Sequence, residues 1–134
     1  MDDERLPVDK HAVIRVVPYP QDTNPAGDIF GGWIMSHVDV AGSIAASKHA
    51  RGRVVTVSVN AFHFRKPVFV GDLVSCYADI VRVGNSSITV DVEVYAERGW
   101  REGANMGQCH KVTEATLTYV AIDDKRRPRS VAKD

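Results

Sequence analysis

Hydrophobic and polar positions alternate along most of this chain, and the period of the alternation changes once. Val55, Val57, Val59 and Ala61 take turns with Thr56, Ser58 and Asn60, and Ile88, Val90, Val92 and Val94 with Thr89, Asp91 and Glu93. A period of two is that of a strand with one face covered. The run Leu73 to Val83, entered through Gly71-Asp72, and the Thr- and aromatic-rich run Thr113 to Ile122 predict two more strands. A short strand is predicted from Ala12 to Val17, stopped by Pro18 and Pro20. Trp33 to His49 is different: it lacks proline, and Ile34, Val38, Ala41 and Ala45 recur at helical spacing. Met35, Val40 and Ala46 fall on the other side, so this helix is apolar nearly all round and is expected to be buried all round. Gly52 is predicted to close it. Gln21 to Gly32 is turn-rich, and Trp100 to Met106 predicts a loop or hairpin crossing.

One strand, one helix and then four long strands make an α+β pattern, an antiparallel β-sheet wrapped round one long central α-helix. Such a sheet leaves an edge and an outer face to cover, and dimerisation is the expected remedy. The length of 134 residues fits one domain spanning 1–134, with loose polar tails at about 1–10 and 125–134.

Composition narrows the class. Seventeen basic side chains balance seventeen acidic ones, so no global field points to nucleic acid or an anionic membrane, and an anionic ligand needs a local cluster. Cys76 and Cys109 make no CxxC pair and no zinc spacing, so neither a redox motif nor a metal site is expected. The charged start MDDERLPVDK has no apolar run, and no apolar stretch reaches spanning length. A cytoplasmic protein is the expectation.

The chemistry-bearing residues are few. There is no GxSxG, HExxH, P-loop or GxGxxG. Five residues before the histidines at 11, 37, 49, 63 and 110 stand Leu6, Gly32, Ile44, Ser58 and Asn105, so the Asp–His spacing of a hydratase is missing. What remains is Asp39, mid-helix between Val38 and Val40. A carboxylate there needs a partner or a use: it caps a strand, pairs with Arg or Lys, or does chemistry. Gly42 and Ser43 beside it let a chain segment or a ligand come close. Asn24, Gly27, Gly31 and Gly32 precede the helix, where exposed N–H groups suit an oxyanion or simply form a turn. Arg65-Lys66 follows the aromatic pair Phe62 and Phe64, a candidate basic edge beside a stacking surface or a solvated strand end.

At this point longer blocks become specific. Thr23 to Asp39 resembles the active-site signature of short bacterial acyl-CoA thioesterases of the YciA type, relatives of the brain-type acyl-CoA hydrolases. The resemblance continues through Val57 to Val68, Val70-Gly71-Asp72, Thr113-Glu114-Ala115, Tyr119-Val120-Ala121 and Arg127-Pro128-Arg129, nearly the whole chain. It departs at His37-Val38, where relatives carry a polar residue and Met.

The resemblance implies a hot-dog fold with the helix as the sausage. It implies an acyl-CoA thioesterase of broad chain-length specificity, needing no metal and no cofactor, since CoA belongs to the substrate and product. It implies a homo-oligomer with the dimer as minimal active unit and a hexamer, a trimer of dimers, as the assembly. Asp39 would act as general base or as nucleophile, and Asn24, reaching it from the opposite subunit, would orient water or the thioester carbonyl. The N–H groups of Gly31 and Gly32 would hold the oxyanion. Phe64, Arg65 and Lys66, with Gly84, Ser86 and Ser87 of the hairpin beyond Val83, would bind the CoA arm. The basic run Lys125 to Arg129 is either a frayed tail or a reach toward a phosphate or a neighbouring subunit. The reading from another class is a non-catalytic hot-dog module that binds acyl-CoA.

Overall fold

The period-two segments pair into one antiparallel sheet, and the helical segment lies across it. A computed structural model describes residues 4–102 and 108–133. In chain order, among these, come β1 (Ile14–Val16), α1 (Gly31–Ala50), β2 (Val54–Phe64), β3 (Leu73–Val83), β4 (Ser87–Arg98) and β5 (Gln108–Ala121). The sheet order is β1-β3-β4-β5-β2, with every neighbouring pair antiparallel. Trp100–Glu102 forms a single 3-10 turn, and the rest of the expected crossing, 103 to 106, lies outside the described residues.

β4 shows most directly how the sequence builds the core. Ile88, Val90, Val92 and Val94 are fully buried, while Asp91 points outward. Each such buried aliphatic side chain contributes roughly 1.5–3 kcal/mol. On the outer face, like-charged neighbours stand opposite each other, Asp79 to Asp91 and Glu93 to Glu114. Like charges in register are unfavourable. Lys10 is interleaved between Asp79 and Glu93, and Lys111 between Glu93 and Glu114.

The helix corrects one expectation. α1 is buried on one side only: Met35 and Val40 are 45% and 46% exposed. Its buried line runs Ile34, Val38, Gly42, Ala46, Ala50, with Ala41 beside it, so Ala46 lies on the sheet side and Ala45 is only half-buried. An i+4 row is inclined to the helix axis, so a helix crossing a sheet buries such a row rather than a straight stripe. The helix end also differs in detail. The left-handed residue is Arg51 (φ 57°), and Gly52 follows it, donating its N–H to the Ser47 carbonyl. A side chain on Gly52 would collide with the Arg129 guanidinium, which donates to the Ala50 carbonyl at 2.7 Å.

The loose tails are corrected too. The C-terminal segment is tied down by Arg129 N–H to Ala121, Val131 N–H to Asn85 and the contact of His49 Nε2 with the Ala132 carbonyl. Near the other end, the Glu4 N–H donates to the Cys109 carbonyl. The helix C-terminus presents carbonyls that need donors, and Arg129 supplies one.

β2 is an edge strand in which the expected alternation does not become burial. The pairing with β5 slips between Thr56 and Ser58 and again between Asn60 and His63. Val57 and Val59 are 54% and 42% exposed. An apolar open edge beside the exposed helix residues is a surface that single chains normally cover.

Candidate functional site

Asp39 sits half-buried on α1, on the side that faces β2 and β5. Thr56 and Tyr119 are direct cross-strand partners on those strands, and both aim hydroxyls at it. Thr56 Oγ1 donates to Asp39 Oδ1 at 2.7 Å, and the Tyr119 hydroxyl lies 3.0 Å from Oδ1 and 2.9 Å from the Asp39 carbonyl oxygen. No Arg or Lys among the described residues pairs with Asp39. Of the roles left open by the sequence, the ion pair is thus not realised. Gly42 explains the close approach: a Cβ there would stand 2.3 Å from the Tyr119 hydroxyl oxygen. The chain segment that this small residue admits is β5. Burial, then the Asp39 charge, pushes the Tyr119 phenol far up, so it remains a donor.

The loop before α1 is built by Asn24. Its Oδ1 accepts the N–H groups of Ala26 and Asp28 at 2.9 and 3.1 Å, an Asx turn completed by Gly27 at φ 92°. With its oxygen thus engaged, the side-chain amide has its NH2 left to offer outward. Ile29 N–H to Val68 and Phe30 N–H to Asp22 lash the loop to the body. Phe30 occupies the N-cap and gives no side-chain cap, so the first helical N–H groups, those of Gly31 and Gly32, find no partner among the described residues. A Cβ on Gly31 would lie 3.3 Å from the Phe64 ring, while Gly32 faces open space.

A cleft of about 370 Å³ runs past Asn24, Asp28, Gly31, Phe64, Arg65 and Lys66. It brings together the expected amide, the helix start and the aromatic–basic edge. Phe62 and Phe64 have ring centroids 5.0 Å apart, and Arg65 pairs with Glu114 at 2.7 Å. Asp39 does not line this cleft. Gly84, Ser86 and Ser87 are elsewhere as well. Ser87 is opposite Val120 near the end of β5, whereas Phe64 is opposite Thr113, a separation of roughly 20 Å at ~3.3 Å per strand residue. The hairpin closes by Gly84 N–H to Ser87, and Ser86 accepts from Ala121. Within one protomer the expected site residues therefore form three groups, not one. Thr56 and Tyr119 are the residues that sequence reasoning passed over, while Gly42 was singled out there for the close approach it allows. The signal for them was a mid-helix carboxylate three residues before a glycine, together with a polar-tipped aromatic in an interior strand.

Other chemistry is poorly served. Burial pushes the Cys76 thiol up to about 12 and, with Glu97 and Glu4 adding to it, that of Cys109 to about 11, so neither is an activated nucleophile. His110 is buried, its Nε2 without a hydrogen-bond partner among the described residues, and burial followed by the nearby Arg98 pushes its imidazole down. A polar hollow of about 420 Å³ on the outer face is occupied by the ion pairs of Lys10 and Glu93. Among the described residues no group of three or more His, Cys, Asp or Glu is placed to hold a metal ion, and no helix is long and apolar enough to cross a membrane.

Residues 26–101 match the family model of the thioesterase superfamily. The acyl-CoA thioester hydrolase YciA of Escherichia coli (strain K12) is 46% identical over 119 residues, 89% of each chain. A hexameric broad-specificity acyl-coenzyme A thioesterase, solved as an aspartate-to-alanine mutant, superposes with a TM-score of 0.86 at 43% identity, covering 93% of this chain and 89% of that one. An acyl-CoA hydrolase of Staphylococcus aureus, solved with butyryl-CoA and CoA, gives a TM-score of 0.79 at 32% identity over 90% of this chain and 70% of that one. It has also been solved as aspartate-to-alanine and asparagine-to-alanine mutants. The chain belongs to the thioesterase superfamily and, within it, to the acyl-CoA thioester hydrolases of the YciA type, with their hot-dog fold.

Proposed function

We propose that this protein hydrolyses acyl-CoA thioesters of a broad range of chain lengths to free acid and CoA, with Asp39 as the acting carboxylate. The observation that carries this reading is an Asp39 side chain held by two neutral hydroxyls instead of a cation, so that its negative charge is not spent on an ion pair. Water attacks the thioester carbonyl as Asp39 takes its proton, or the carboxylate itself attacks and water then cleaves the anhydride. In either route the C–S bond breaks and CoA leaves as a thiolate, which needs no strong acid. Asn24 donates from its side-chain NH2, and the helix-start N–H groups of Gly31 and Gly32 face the oxyanion, a contribution of about 3 kcal/mol per donor.

The active unit is a dimer in which Asn24 of one protomer meets Asp39 of the other, assembled further into a hexamer. Three features support this: Asp39 and the Asn24 cleft are apart within one chain, Val57, Val59, Met35 and Val40 are exposed, and the broad-specificity relative is hexameric. The two positions changed in the Staphylococcus aureus mutants are separated by the same number of residues as Asn24 and Asp39, which supports the pairing of an amide with a carboxylate. Phe64, Arg65 and Lys66 bind one part of the CoA arm, and the hairpin Gly84, Ser86, Ser87 of a different protomer another. Its two free thiols fit the cytoplasm.

Release of free thiol from acetyl- to palmitoyl-CoA, followed with a thiol reagent, tests the activity. Turnover across the series is expected, and binding without thiol release would leave a non-catalytic module. Replacing Arg65 and Lys66 together with Ala is expected to raise KM about 5- to 10-fold, more at low salt than at high, with kcat unchanged. Steady-state kinetics at two ionic strengths check this.

A further inference from the structure

Both hydroxyls that reach the Asp39 carboxylate converge on the same oxygen. Thr56 and Tyr119 donate to Oδ1, while no hydrogen bond to Oδ2 occurs among the described residues. We infer that Tyr119 is a positioning residue for the hydrolysis, holding Oδ1 from inside the core so that Oδ2 is the oxygen that reacts. The inference rests on the reading of Asp39 as the acting carboxylate.

Three features make Tyr119 the firmer of the two anchors. It is fully buried in β5, whereas Thr56 is exposed on the edge strand. Its hydroxyl also lies within hydrogen-bond distance of the backbone carbonyl of the same residue, so its one proton is shared between the Asp39 carboxylate and the Asp39 backbone. Gly42 keeps the space that the phenol needs; nothing larger fits without displacing it. With Oδ1 held, the Asp39 side chain cannot rotate freely, and Oδ2 keeps its lone pairs. In the general-base route Oδ2 takes a proton from water as the water oxygen bonds to the carbonyl carbon. The C–S bond then breaks, and that proton passes to the CoA thiolate. In the nucleophilic route Oδ2 forms the bond to carbon.

Among the described residues the groups facing Asp39 from the packed strands are the two hydroxyls. Tyr119→Phe keeps the ring, and the Asp39 carbonyl keeps its place in the helix, so the variant is expected to fold. Its kcat should fall about 10- to 100-fold with KM within about threefold of wild type. A residue that merely packs would not split kcat from KM in this way. Gly42→Ala, which drives the phenol away with its ring retained, should lower kcat in the same way, and it decides the matter if Tyr119→Phe fails to assemble. Asp39→Ala is measured beside them. If it keeps its activity, the reading of the site fails; if it is inactive while Tyr119→Phe or Gly42→Ala keeps the wild-type kcat, the role of Tyr119 alone is overturned.

Discussion

Asp39→Ala is expected to lose about 10³-fold or more of kcat on any acyl-CoA, with KM little changed and the oligomer intact. A positioned acid–base group contributes typically 10²–10⁴-fold. The fold should survive the change. Thr56 is exposed and can turn its hydroxyl to water, and the Tyr119 phenol keeps the backbone carbonyl of residue 39 at 2.9 Å. Removing a half-buried charge therefore leaves no stranded partner. Asp39→Asn, which keeps the shape but not the charge, should be nearly as inactive. Steady-state kinetics with size-exclusion chromatography check both, and a kcat near wild type would remove Asp39 from the mechanism.

Arg98→Met should be strongly destabilising although it lies at a distance from Asp39, within a range of about 3–5 kcal/mol. Asp72 is 2% exposed and accepts Arg98 Nε at 3.1 Å and Nη2 at 2.9 Å, with the Phe69 N–H on Oδ2 at 3.0 Å. The guanidinium also lies 4.6 Å from the centre of the Phe69 ring. Removing it leaves a carboxylate deep in the protein with one N–H. Arg98 is itself partly reached by water, which places the expected loss near the lower end, about 3 kcal/mol or a Tm lower by roughly 10 °C. Adding Asp72→Asn to Arg98→Met should recover part of it. The loop concerned leads back to Val68, whose carbonyl takes the Ile29 N–H below Asn24, so this ion pair also steadies the entry to the helix. Thermal unfolding of the single and double variants checks the prediction; an unchanged Tm for Arg98→Met would contradict it.

Where one face of a strand is covered and its register is regular, the pattern was legible. β3 has the bounds that its sequence predicts, and the buried valines of β4 are those that the alternation picks out. Where a bulge changes the phase, it was not. In β5 the buried positions are His110 and Val112 in one phase and Thr113, Ala115, Leu117, Tyr119 and Ala121 in the other, with the irregularity between them. A reading in one phase therefore begins the strand at Thr113 and misses the five residues before it. β2 fails for a related reason: its bulges and its edge position leave Val57 and Val59 outside although the period is right. The helix misled through composition, because apolar residues on its free side look like core until one knows that the sheet covers only one side. Asp39 was found as an anomaly, a charge in an apolar run. Tyr119 and Thr56 were not, because their meeting with it depends on the pairing of β2 with β5, which no local pattern contains.

The shared active site is tested most directly by mixing two inactive variants, Asp39→Ala and Asn24→Ala, unfolded together and reassembled. If Asn24 of one protomer serves Asp39 of the other, each hybrid dimer contains one site with both residues intact. Random reassembly should then restore about a quarter of the wild-type activity. Activity no higher than that of the two variants assembled separately, with hybrids shown to have formed, would contradict the account.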